Sequence, residues 1–205
     1  MVHVTADMMV SLDGFASGVD ASQSLEQPFG DCDFEALARW RFEDADANAA
    51  EIEAIVGADA YVMGRNMFGP GRDEHDPEWT GWWGDEPPYG APVFVLSHHE
   101  REPLVMAGGT TFTFVTTGLR DAFDRAVAAA GDRADGGGRV SIAGGATTLN
   151  QFLAAGLIDE LRLHVVPVLF GAGQRLFEGV PPMRLEQVSS RATTHVTHLT
   201  YRILR

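Results

Sequence analysis

Cysteine is nearly absent from this chain, with a single residue, Cys32, among 205. That excludes an internal disulfide and any cluster of thiolate metal ligands. Basic side chains are scarce as well: 15 stand against 29 acidic ones, for a formal charge of −14. Nucleic acid and anionic membranes both demand neutralising cations, so neither is expected as a partner. No apolar run approaches the roughly 18 residues of a membrane span, and the chain opens on strand-like Val2-His3-Val4 rather than on a basic-then-apolar signal. A cytoplasmic location is the expectation. Internal repeats and a linker are missing too. With 45% apolar and 21% charged residues, 1–205 reads as one globular domain large enough to bury a substantial core.

What is present centres on residues 139–153. Arg139-Val140-Ser141-Ile142-Ala143 alternates like a buried strand, and Leu149, Phe152, Leu153 and Leu157 fall at helical spacing. Between them, Gly144 and Gly145 remove the Cβ atoms that would hold another molecule off the main chain, and Thr147 and Thr148 can cap the helix. Unpaired amides at the positive end of a helix make a phosphate seat. An ordinary strand-to-helix turn explains the same residues. The pattern is neither a G-x-G-x-x-G nor a P-loop, since no lysine follows.

In chain order, Val2 to Leu12 reads as a strand ending at the turn pair Asp13-Gly14, and Gly18 to Cys32 as an aperiodic surface loop. A helical pattern runs from Phe34 to Val56 with a break near Asp44-Ala45-Asp46, its acidic residues forming a solvated face. Ala60 to Met63 is a strand that delivers Gly64 and Arg65, a guanidinium able to fork onto phosphate or to form a surface ion pair. The loop from Gly69 to Pro92 holds His75, Trp79, Trp82 and Trp83; its rings either stack on a flat substrate or cover a core edge or subunit contact. Pro92 to Leu96 is a strand with Ser97, His98 and His99 at its end, suited to an anion but not to a metal, because adjacent residues point apart and no third ligand is evident. Phe112 to Val115 is a strand and Leu119 to Ala130 a helix ended by Gly131; Asp132 to Gly138 is a surface loop. A long strand, Asp159 to Leu169, contains Pro167, which favours an edge or bulge, and two last strands cover Met183 to Val188 and Thr193 to Leu204. Alternating strands and helices followed by strands alone predict a mainly parallel central sheet flanked by helices, with antiparallel C-terminal strands.

Four motifs in this order carry a family resemblance: Ser11-Leu12-Asp13-Gly14; Met63-Gly64-Arg65; Ala143-Gly144-Gly145-Ala146-Thr147-Thr148-Leu149; and Asp159-Glu160-Leu161 with Pro167-Val168-Leu169-Phe170-Gly171-Ala172-Gly173. Together they resemble the dihydrofolate reductase-like superfamily, in the branch of the reductase domain of the riboflavin-biosynthesis bifunctional deaminase/reductase. The resemblance implies an NADPH-dependent reductase that transfers hydride to a C=N or C=O carbon of a small cyclic substrate. It implies a glycine pair joined by a cis peptide under the nicotinamide and pyrophosphate, hence Gly144, Gly145 and the amides of Ala146, Thr147, Thr148 and Leu149 as cofactor contacts. Gly64 and Arg65 would meet cofactor phosphate, Ser97 and His98 the adenosine 2′-phosphate, and Val10, Asp13 and Ala16 the nicotinamide pocket. Asp13 is the candidate catalytic residue, orienting substrate or a proton-bearing water, and Trp79, Trp82 and Trp83 are the candidate substrate contacts. A homodimer is implied, formed through the late strands and the Gly171–Phe177 turn. Two alternatives stand beside this reading: a flavin-using relative, and a non-catalytic nucleotide-binding or dimerisation module of the same fold.

Overall fold

The computed structural model describes residues 2–21, 26–69, 78–131 and 137–205. His75, with the rest of 70–77, lies outside the described residues, as do 22–25 of the first loop and 132–136 of the loop before Arg139. Among the described residues, eleven strands and five α-helices follow in the order β1 (His3–Ser11), β2 (Phe15–Ser17), α1 (Phe34–Phe42), α2 (Ala49–Val56), β3 (Ala60–Gly64), α3 (Arg65–Phe68), β4 (Pro92–Leu96), β5 (Leu104–Val105), β6 (Thr111–Val115), α4 (Leu119–Gly131), β7 (Arg139–Ile142), α5 (Ala146–Ala154), β8 (Glu160–Val166), β9 (Gln174–Arg175), β10 (Arg184–Ala192) and β11 (Thr197–Leu204). Nine strands form one sheet in the order β10-β11-β8-β1-β7-β3-β4-β6-β5, and β2 pairs with β9 separately. The six strands from β8 to β6 are parallel; β10, β11 and β5 are antiparallel to their neighbours. The expected fold class is the observed one.

Each face of the sheet carries its own cover. Along β1, Val4, Ala6 and Val10 enter the main core under α4 and α5. Ala122, Ala126 and Ala130 of α4 are fully buried at four-residue spacing, and their small side chains let that helix lie close to the strands. On the opposite face Met9 packs with Leu37 and Trp40 of α1 and with Ile52 and Ile55 of α2. Central strands covered on both sides read as continuous apolar runs, and β3 is buried at all five positions.

Local chemistry explains the boundaries. The Asp33 side chain caps α1 by accepting from the Ala36 amide at 2.8 Å. The single helical pattern of the sequence splits where its break was read: α1 ends at Phe42, and α2 begins after a 3₁₀ turn at Asp46–Asn48. The long strand before Leu169 is shorter than its apolar run. It stops at Val166, so Pro167 ends a central strand, paired on both sides, instead of marking an edge or bulge.

Candidate functional site

The glycine element is built where two neighbours of the sheet part. β1 pairs with β7 only from His3 to Ala6, whose partner is Ile142, yet stays paired with β8 through Ser11. Beyond Ala6 a gap therefore opens between β1 and the chain leaving β7. It sits where connections leave the sheet in opposite directions, the position at which open parallel sheets receive ligands. The chain leaving β7 is anchored to β3 on its other side, with the Ala143 amide on the Val62 carbonyl at 2.8 Å and the Gly64 amide on the Gly144 carbonyl at 2.9 Å.

The three glycines at this junction do different jobs. The Gly144–Gly145 peptide is cis. Gly144 has φ +101°, a conformation side chains rarely adopt, and Met8 Cε lies 3.3 Å from where its Cβ would stand. Gly145 has an ordinary φ of −73°, and an added Cβ there meets nothing within 4 Å. A Cβ on Gly64 would collide with Thr148 Oγ1, so this glycine lets α5 dock against β3 and does not itself clear room for a ligand.

Gly145 is the N-cap of α5, and no side chain caps the helix, so neither Thr147 nor Thr148 performs the expected capping. The amides of Ala146, Thr147 and Thr148 belong to the first helical turn, whose N–H groups have no acceptor within the helix. The Leu149 amide, by contrast, donates to the Gly145 carbonyl at 3.0 Å, and its side chain is fully buried; Leu149 supports the seat without offering a contact. Ala146 and Thr148 side chains are buried too, which leaves Thr147 exposed at the rim. A groove of about 450 Å³ runs along α5 from Ala146 and Thr147 to Gly173, Gln174 and Arg175.

Asp13 lies in the loop beyond β1, but its carboxylate is committed to the protein. Oδ1 accepts from Ser11 Oγ at 2.6 Å and from the Phe170 amide at 3.1 Å, and Oδ2 accepts from the Gly171 amide at 2.7 Å. The Ser11 hydroxyl, helped by the amides of Gly171 and Phe170, lowers its pKa to about 2. An acid held ionised and bonded at both oxygens is a clasp for the loop rather than a proton donor. Arg175 completes the clasp, with Nη1 3.1 Å from the Asp13 carbonyl and its guanidinium 4.3 Å over the Phe15 ring. Val10 is a core residue at 4% exposure, so its side chain does not line a pocket; Ala16 is half-buried on β2.

The expected phosphate end lies at the C-terminal ends of β3 and β4. Arg65 opens α3 and donates through Nη1 to the Gly69 carbonyl at 2.8 Å. Burial lowers its pKa, and the charge of Arg101 lowers it further. Arg101 was not singled out in the sequence; it lies 5.2 Å over Phe114 and 5.8 Å over Phe68. Only the return of the chain after β4 brings it near Arg65. Ser97 is half-buried and spends its hydroxyl in its own turn, donating to the His99 carbonyl at 2.9 Å and accepting the His99 amide at 3.0 Å; His98 is exposed.

The tryptophans cover a core edge. Trp79 donates through Nε1 to the Phe68 carbonyl at 3.0 Å, and Trp83 stacks on Phe112 at 5.8 Å with its edge against Tyr89. Both are partly buried against the apolar cluster of β3, β4 and β6, while Trp82 is the ring left at the surface. Among the described residues no group of three or more His, Cys, Asp or Glu side chains is arranged to hold a metal, and no helix is long and apolar enough to cross a membrane.

A nine-stranded, mainly parallel sheet flanked by helices, with antiparallel C-terminal strands, is an α/β domain with the dihydrofolate reductase-like fold. The model of the RibD C-terminal domain matches residues 2–199, and the chain belongs to that family. Among solved structures it is similar to a protein assigned to riboflavin biosynthesis in Shewanella sp. PV-4, with 22% identity, 99% of both chains covered and a TM-score of 0.63. RibD of Acinetobacter baumannii matches all of this chain at 16% identity and a TM-score of 0.60, but this chain spans only 58% of that protein. A pyrimidine reductase-like protein of Corynebacterium diphtheriae is 16% identical over 99% of this chain and 92% of its own, with a TM-score of 0.55. No curated protein matches the chain.

Proposed function

We propose that the protein is an NADPH-dependent reductase of the riboflavin-pathway type, acting on a small cyclic substrate at a C=N or C=O carbon. The observation that carries the reading is the open space over Gly145, beside three first-turn amides of α5 and the gap between β1 and β7. NADPH, when bound, supplies the hydride. The chain's own contribution is placement. Gly144 and Gly145 let the reactive ring lie against main chain, and the amides of Ala146, Thr147 and Thr148 face the pyrophosphate with the positive end of the helix behind them. Arg65 and Arg101 face the further phosphate, and the groove beside Thr147 and Arg175 receives the substrate. Hydride transfer requires no protein nucleophile, only two reactants held in contact away from bulk water, and the proton is assigned to a water. The Asp13 clasp fixes the loop that closes one side.

The reading includes a cytoplasmic homodimer, for which β10, exposed along all nine residues with Leu185 and Val188 among them, is the proposed contact. Calorimetric titration with NADPH and NADH tests the cofactor assignment. NADPH should bind tighter, and Arg65→Ala with Arg101→Ala should remove most of the difference between the two cofactors. Equal affinity for both in the unmodified protein would refute the phosphate assignment, and binding of neither would refute the reductase.

A further inference from the structure

A second cavity lies on the other face of the sheet, beneath α2. It encloses about 200 Å³, and its walls come from β1, α2, β8, β10 and β11, with none from β7, α5 or the Asp13 loop. Its floor is made of charged and polar side chains: Asp7 on β1, Arg162 and His164 on β8, and His198 on β11. The strand registers set them side by side, Asp7 opposite Arg162 and His198 opposite His164. Glu51 of α2 and Arg191 of β10 join over it through a two-pronged ion pair.

Hydrogen bonds around the floor determine which atoms are donors. Asn48 Nδ2 donates to the carbonyls of Trp40 at 3.2 Å and Asp44 at 2.8 Å, which turns its Oδ1 toward His198 Nε2 at 2.9 Å. His198 Nε2 therefore carries a proton. Burial, and then the neighbouring His164, push the His198 pKa down to about 4, so at neutral pH its Nδ1 is an acceptor. His164 Nδ1, 2.8 Å away, must be the donor. The other nitrogen of His164 is left facing Asp7 Oδ1 at 3.5 Å, too far for a direct hydrogen bond.

The result is an unusual set of open positions. The Asp7 side chain is 6% exposed and His164 2%, yet both carboxylate oxygens and His164 Nε2 lack a hydrogen bond. Nε and Nη2 of Arg162 lack one as well, although Nη2 lies 2.9 Å from Asp7 Oδ2 and Nε 3.7 Å from Glu160 Oε1 as ion pairs. A buried polar atom without a hydrogen bond is costly, so each of these positions calls for a partner. An ion is a poor answer. Donors on Arg162 and acceptors on Asp7 and His164 stand side by side, so an ion of either sign would face like groups as well as opposite ones. A neutral molecule offering N–H groups next to a carbonyl oxygen matches both kinds of open position at once.

We propose that this cavity is a ligand site, separate from the glycine seat, for a small neutral molecule with an amide edge, whose N–H groups meet Asp7 and His164 and whose C=O meets Arg162, as in a cyclic ureide. The site does not depend on the reductase reading. Uracil is a suitable probe, with acetate and methylguanidinium as charged controls of smaller size, measured by calorimetry on the whole protein with and without saturating NADPH. Uracil should bind saturably, equally well in both conditions, and more tightly than either ion. Asp7→Asn should weaken it at least about tenfold, the effect of losing a hydrogen bond to a charged group. Ala54→Leu, which fills the cavity from α2 without touching the polar network, should do the same, and decides the matter if Asp7→Asn does not fold. Gly145→Ala should leave uracil binding unchanged. Three results overturn the site: no saturable binding up to the solubility of uracil, which leaves a cavity for water only; binding that survives both Asp7→Asn and Ala54→Leu; or binding lost with NADPH present or in Gly145→Ala.

Discussion

The two faces of β1 make concave surfaces by opposite means. On the α5 side the seat is main chain: two glycines, the amides of one helical turn, and side chains turned away into the core. On the α2 side the cavity is all side chains, contributed by residues 7, 51, 162, 164, 191 and 198. A main-chain seat recognises what every nucleotide cofactor shares, phosphate and a flat ring, and it is insensitive to pH because amides do not titrate. A side-chain cavity is selective and costly, since each polar group must find a partner. The difference teaches that a substitution on the open backbone of the first surface should act on binding alone, whereas one in the second should act on stability and binding together.

The largest effect expected from this contrast is at the glycines. Gly145→Ala should reduce NADPH affinity by about 100-fold or more, because the new methyl occupies the space a ligand would use, while thermal stability changes little. Gly64→Ala should do the reverse and lower stability by about 1–3 kcal/mol through its collision with Thr148. Calorimetry and thermal denaturation on both variants sharpen the comparison, and a Gly145→Ala protein that melts early yet binds normally would break it.

The second effect is a pH dependence confined to the side-chain cavity. His198 is held neutral in the native state with a pKa of about 4, below its ordinary 6.5. The groups facing it are His164 and Arg162 of β8, Asp7 of β1, Glu51 of α2, Arg191 of β10 and the Asn48 amide. Between pH 6.5 and 4 the unfolded chain binds a proton there that the native chain does not, so stability falls as pH falls through that window. The loss from this residue should be about 1–3 kcal/mol. Urea denaturation at pH 7 and pH 4.5 should show it, and His198→Gln should flatten the difference, whereas the affinity of the glycine seat for NADPH should not follow the same curve.

The smallest effect concerns the cover of that cavity. The Glu51–Arg191 pair is partly exposed, with Arg191 also bonded to the Ala47 carbonyl at 3.1 Å. Arg191→Ala should cost only about 0.5–1 kcal/mol, more at low salt than at high salt. A loss several times larger in denaturation experiments would mean that the cover, and not the floor, holds α2 in place.

The same contrast explains what could be read from the sequence. The glycine seat was legible because a strand, two glycines and a helix are consecutive, and bare main chain announces itself by residue type. The order of parallel strands and the late antiparallel pair followed from alternation with helices. The cavity was not legible: Asp7 and His198 are 191 positions apart, and only the pairing of β1, β8 and β11 puts them together. The Asp13 clasp joins two stretches read separately, Ser11-Leu12-Asp13-Gly14 and the turn at Phe170-Gly171, and a carboxylate spent on distant amides looks in sequence like one free for catalysis. The tryptophans were ambiguous for a related reason. A large ring is equally suited to a substrate and to a core edge, and only the position of Phe112 and Tyr89 decides. The two short strands β2 and β9 carry too few residues to show any period.

The placement of β1 has a consequence for how the chain assembles. This strand is the first of the described elements, yet both of its neighbours arrive late: His3 waits for Arg139, and Ser11 for Val166. Until then its apolar side chains and its two rows of amides and carbonyls have nothing to join. Synthesis on the ribosome thus delivers the keystone well before the stones it locks, so the centre of the sheet closes only once β8 has followed β1 by about 150 residues. Nascent chains stalled short of β8 should be held by chaperones or cleared by proteases, and cutting away the opening strand should leave no stable remainder.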